Sequence, residues 1–91
     1  MGSYTEISTL RDGIAYVRSL SADTPNLAAE VGGTARTVGD LAVTADLPWD
    51  VNNSVGSGLV SLNAAVLNDP SSAVAQLSEL NLIMDKIEAA I

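Results

Sequence analysis

Asp46, Asp50, Asn52 and Asn53 form the densest group of side-chain oxygens in the sequence, and several convergent oxygens are what a hard cation such as calcium requires. Calcium loops alternate their ligands around a central glycine and close on a distal glutamate. This stretch does neither, so its acids read as helix caps rather than ligands. Asp85 and Glu88 stand three residues apart, a spacing that places two carboxylates on one helix face and would suit acid–base work. No nucleophile and no third group accompanies them, so the pair reads as a solvated polar face. Gly32-Gly33-Thr34 and Gly56-Ser57-Gly58 have the look of phosphate loops, but neither follows a strand or carries the lysine that such loops use. The chain also has no histidine and no cysteine. That removes the commonest general base, the commonest zinc ligands, the thiolate nucleophile and any disulfide. The expectation is a protein that is not an enzyme, with no cofactor and no metal.

Charge narrows the partners. Four basic residues (Arg11, Arg18, Arg36 and Lys86) stand against eleven acidic ones, a net charge of −7. That balance argues against nucleic acid and anionic membranes. The sequence opens with no basic stretch leading into an apolar run, and no apolar stretch is long enough to span a bilayer. The reading is therefore no membrane insertion, and either a cytoplasmic protein or one exported without a cleavable signal peptide.

Ninety-one residues suit a single helical domain, residues 1–91, with no disulfide to reinforce its core. The strongest apolar repeat lies at its end. Ala73, Leu77, Leu80, Met84, Ile87 and Ile91 recur at steps of four and three, which draws one continuous stripe down a helix. Val74 and Ile83 edge it, and Ser78, Glu79, Asp85 and Glu88 face the other way. The stripe requires a partner, which is either the rest of this chain or another copy.

Three further helical segments precede it. Ser3-Tyr4-Thr5-Glu6 has the form of a capping box, and Ile7, Leu10, Ile14 and Val17 give a stripe extended by Tyr4 and Leu20. Gly13 weakens this first segment by about 1 kcal/mol relative to alanine. The tyrosines Tyr4 and Tyr16 read as rim packing. After a break at residues 21–25, with Asp23 or Thr24 as cap and Pro25 in the first turn, the second segment runs through Leu27, Val31, Thr34, Val38, Leu41 and Ala45. Its glycines, Gly32, Gly33 and Gly39, point to close approach of a neighbour, with a bend as the alternative. A second break at residues 46–50 precedes a third stripe of Val51, Val55, Leu59, Leu62 and Val66, and Asn52-Asn53-Ser54 prolong the loop in one reading. A third break at residues 68–71, with Asp69 as the cap, leads into the last helix. All three prolines fall at segment starts. The fold expected is all-α, a small bundle or bent hairpin of three to four helices.

Trp49, the lone tryptophan, stands beside Pro48 at a helix junction. It reads as a core plug or a lid over the bundle end, with an exposed anchor for a partner as the alternative.

One resemblance joins these readings. Asn68-Asp69-Pro70-Ser71, then Ser78-Glu79-Leu80-Asn81-Leu82, then Met84-Asp85-Lys86-Ile87-Glu88-Ala89-Ala90-Ile91 resembles the C-terminal half of the needle subunits of type III secretion systems. Leu80 stands at that family's aromatic position, and three breaks replace the family's single loop. The resemblance implies a protomer that polymerises into a secreted hollow filament.

Two functions follow as expectations. The first is a non-enzymatic structural protein that associates with copies of itself, or with another protein, through Leu77, Leu80, Met84, Ile87, Ile91 and Trp49. The second is a small acidic adaptor, chaperone or inhibitor that meets a basic protein surface with Asp40, Glu79, Asp85 and Glu88.

Overall fold

The computed structural model describes residues 3–91; Met1 and Gly2 lie outside them. Ser3 does act as a cap, but of a single 3-10 turn, Tyr4–Glu6. Its hydroxyl accepts the amide of Thr5, and Glu6 makes no return bond from its side chain. The first α-helix starts later, with α1 spanning Leu10–Ser19. Thr9 is its cap, its hydroxyl accepting the Asp12 amide at 3.1 Å. Asp12 also accepts a hydrogen bond from Ser8 Oγ at 3.0 Å, so a carboxylate sits at the positive end of the helix dipole. The Ser8 bond, with that of Thr9 second, holds the Asp12 carboxyl below its ordinary value.

The second helix, α2, spans Leu27–Thr44. Its cap is neither Asp23 nor Thr24. Thr24 turns back instead, its hydroxyl accepting the Ser21 amide while its own amide donates to the Ser21 carbonyl. Asn26 then takes the left-handed conformation at φ 54°, which asparagine tolerates better than most residues, and turns the chain into the helix. Gly32, Gly33 and Gly39 lie inside one continuous helix. Close approach is the reason for Gly33: a Cβ there would stand 2.6 Å from the Tyr4 ring. The aromatic ring of the 3-10 turn therefore lies directly on the α2 backbone.

The third helix, α3, spans Trp49–Asn68, so Asn52, Asn53 and Ser54 are helical rather than loop. Pro48 occupies the cap position, its carbonyl accepting the Asn52 amide at 2.9 Å. Asp69 then caps a 3-10 turn, Pro70–Ser72, by accepting the Ser71 amide. That turn leads into α4, Ala73–Ala90. No strand occurs among the described residues.

The helices close a ring, with α2 packed on α3, α3 on α4, α4 on α1 and α1 on α2, and α2 also touches α4 across the middle. Gly32 faces Asn63 and Val66 while Gly39 faces Leu59, so α2 and α3 run antiparallel. Gly58 against Ile83 and Ser54 beside Lys86 give the same sense to α3 and α4. The helix α1 lies across α2 and α4. It touches the first where a Cβ at Gly13 would stand 2.8 Å from Val38 Cγ2, and the second through Arg18.

The C-terminal stripe fills the centre. Leu80, Met84 and Ile87 are wholly buried, and Ala73, Leu77 and Ile83 nearly so. They meet Ile14 and Val17 of α1, Val31 and Val38 of α2, and Val55, Leu59, Leu62 and Val66 of α3 in one continuous core. Each buried aliphatic side chain of this size contributes about 1.5–3 kcal/mol relative to exposure. The stripe's partner is the rest of the same chain. Ser78, Glu79, Asp85 and Glu88 face outward as the pattern requires.

Candidate functional site

Of the polar groups that suggested chemistry, Asp85 and Glu88 are engaged in holding helices. The Arg18 guanidinium grips Glu88 with two bonds, 3.0 and 2.8 Å, and reaches Asp85 Oδ1 at 3.2 Å. The candidate carboxylate pair is thus a clamp between α1 and α4. The bond from Arg18, and then its charge, hold the Glu88 carboxyl below its ordinary value. The Tyr16 hydroxyl donates to Glu30 Oε2 between α1 and α2. Burial first, and that bond second, push the Tyr16 phenol up to about 12, so it stays neutral in ordinary solution. Among the described residues Thr34 is the one buried polar side chain, and its Oγ1 has no hydrogen-bond partner. It lines none of the hollows described below. Asp46 and Asp50 are both exposed. Among the described residues no three of the acid, histidine or cysteine type gather around a point where a metal ion would fit, and no helix is long and apolar enough to cross a membrane.

What remains is apolar and lies on the outside. Trp49 is 80% exposed, Val43 77% and Val60 73%. For Trp49 this overturns the reading as a core plug or lid: as the first residue of α3 it points away from the bundle, and Leu47 and Val51 pack against the core in its place. Val43 and Val60 are out of phase with the stripes of their own helices. Each stands one residue past a buried position, Ala42 and Leu59, and is turned about 100° from it around the helix axis.

These three side chains surround a groove between α2 and α3. Its floor is Ala35, Gly39, Gly56 and Leu59, its walls are Val43 and Val60, and Arg36, Asp40 and Asn63 form its rim, around roughly 280 Å³. A second hollow of roughly 330 Å³ continues it toward Trp49, sharing Val43 and Gly56 and adding Asn52, Asn53 and Ser57. Gly56 explains why the groove is open: a Cβ built there meets nothing within 4 Å. An incoming side chain finds bare backbone at this point.

Of the contact residues expected from sequence, the structure separates two sets. Leu77, Leu80, Met84 and Ile87 are in the core, while Trp49 and Ile91 are exposed. Val43 and Val60 lie outside every apolar repeat of the sequence, so periodicity gives no sign of them; the signal they carry is the opposite one, a large apolar residue that breaks the repeat. Leu67, Val74 and Leu82 share that character but line neither hollow. No protein-family model, curated protein or solved structure matches this chain.

Proposed function

We propose that this protein is a non-enzymatic interaction module: an acidic helical domain that works by packing contact with another protein through the α2–α3 groove. One observation carries the reading. The molecule completes its core with the C-terminal stripe and still holds Val43, Trp49 and Val60 in water along two adjoining hollows. Large exposed apolar clusters of this kind mark contact surfaces, and tryptophan is the side chain most enriched at the centres of such contacts. The proposal places the contact on α2 and α3 rather than on the stripe of α4, because Leu80, Met84 and Ile87 are reachable only by opening the bundle. Self-association, including assembly into a filament, is one form this contact takes if the partner is a second copy.

Light scattering on the purified protein at rising protein and salt concentration measures self-association directly. A photo-crosslinking residue at position 60, compared with one at position 79 on the outer face of α4, measures contact with other proteins in the native cell. The proposal expects either a mass that rises with concentration and is reset to the monomer by Val60→Asp, or discrete adducts from position 60 that position 79 does not give. A monomer at all concentrations with the same adducts from both positions contradicts it.

A further inference from the structure

The charges around the groove define what fits it. Between Arg36 and Lys86 the sequence contains no lysine or arginine, but it contains Asp40, Asp46, Asp50, Asp69, Glu79 and Asp85. From Thr37 through the rest of α2, the connection to α3 and the whole of α3, the chain therefore carries acids and no base. Asp40 stands on the groove's rim. Asp46 and Asp50 flank Trp49 in sequence at its far end, and both are exposed. The remaining cations are elsewhere: Arg11 and Arg18 belong to α1, with Arg18 held by Glu88 and Asp85, and Lys86 lies beside Ser54 on the α3–α4 side. Arg36 is the single basic residue on the rim.

We propose that the groove receives a basic amphipathic helix of another protein, an inference that rests on the contact function proposed above and names its partner's chemistry. The shape suits a helix, since the groove runs between two antiparallel helices and its floor at Gly39 and Gly56 carries no side chain. A helix laid in such a channel places its residues at i, i+3, i+4 and i+7 inward. Its lysines or arginines then lie along the flanks, where Asp40 stands on the rim and the exposed Asp46 and Asp50 neighbour Trp49 in sequence. A second copy of this chain is the poorer occupant. Each copy bears a net charge of −7, and like charges brought together at a contact oppose it.

Trp49 is the test's reporter, because it is the lone tryptophan and stands at the groove's end in water. Its emission moves to shorter wavelength when an apolar surface covers it. The probe is a synthetic helix of about 18 residues, long enough to fold against a surface, with leucine at the helical repeat, lysine elsewhere and no tryptophan. A matched helix carries glutamate in place of lysine. The expected result is a saturable blue shift with the lysine helix that weakens with salt, and none with the glutamate helix. Gly56→Leu starts from a Cβ that meets nothing within 4 Å and lowers the affinity by about tenfold or more; Asp40→Asn lowers it by a smaller factor and flattens the salt dependence.

Equal response to both helices, or undiminished binding by the Gly56→Leu variant, overturns the inference, because the peptide then adheres by general charge or greasiness. Absence of binding by either helix overturns it too. If that absence accompanies self-association abolished by Val60→Asp, the contact function stands and the occupant is a second copy. If Val60→Asp changes nothing in any assay, both fail.

Discussion

Gly13 and Gly56 both sit inside helices, and propensity alone predicts that alanine improves each by about 0.5–1 kcal/mol. Their surroundings separate them. A methyl at position 13 meets Val38 at 2.8 Å in a filled core, whereas one at position 56 meets nothing. Gly56→Ala is expected to raise stability by about 0.5–1 kcal/mol and Gly13→Ala to lower it by about 1–3 kcal/mol, the usual cost of overpacking. Thermal or urea unfolding followed by circular dichroism measures both, and equal shifts of the same sign contradict the packing described for α1 on α2. The sequence shows a glycine's helix cost but not the neighbour it makes room for. Thr34 is a second case. Its spacing marks it as core, but only the structure shows its hydroxyl without a partner. Thr34→Val keeps the shape and removes a buried unpaired polar group, so it is expected to stabilise by about 1 kcal/mol. Destabilisation by that much in the same assay indicates that the hydroxyl is bonded after all.

At the scale of the helices, most of the pattern was legible and most of the boundaries were not. The stripes of Val55, Leu59, Leu62 and Val66 and of Leu77, Leu80, Met84 and Ile87 are buried as their spacing requires, because a helix has only one way to present residues at steps of three and four. Caps were harder, since this chain offers several hydroxyls and acids at every break. Thr9 rather than Ser3 starts α1, and Asn26 rather than Thr24 starts α2, each decided by which polar group the preceding turn had already engaged. The clamp between α1 and α4 lay wholly beyond sequence reading, because Arg18 and Glu88 are joined only by the fold. It gives a pH prediction. The Glu88 carboxyl titrates below its ordinary value of 4.5 in the folded chain, so its pairing adds stability above that value and loses it as the pH falls through the lowered one. The groups are exposed and screened, so the effect is modest. Melting of Glu88→Gln is expected to trail the parent at neutral pH and to converge with it once the pH has fallen through the lowered carboxyl value. A gap that persists unchanged in acid assigns the loss to something other than the ion pair.

Leu80→Asp and Glu79→Ala, neighbours in sequence, probe the boundary between inside and outside. The first places a carboxylate at a wholly buried position and is expected to cost several kcal/mol, comparable with the stability of a domain this small. The second alters an exposed side chain and is expected to cost under about 0.5 kcal/mol. Circular dichroism at low and high protein concentration measures both. A Leu80→Asp protein that remains folded contradicts the placement of the α4 stripe in the core.

At the scale of the whole molecule, most apolar residues that obey the helical repeat close a four-helix core, while a second population stays in water, of which Val43, Trp49 and Val60 border the α2–α3 hollows. Sequence reading found the first because periodicity reports burial. It placed Trp49 as a core plug or lid, which its 80% exposure overturns, because no periodicity describes a residue at a helix start. The central claim is that the second population contributes nothing to holding the fold and is available for a partner. Urea unfolding of the triple variant Val43→Ser, Trp49→Ser, Val60→Ser, followed by its helical circular dichroism signal, tests that claim most directly. The account predicts a stability within about 1 kcal/mol of the parent, the sum expected for exposed positions. A loss of about 4 kcal/mol or more, the scale of emptying a packed core, would show that these side chains belong to the core and that the α2–α3 groove is not a free surface.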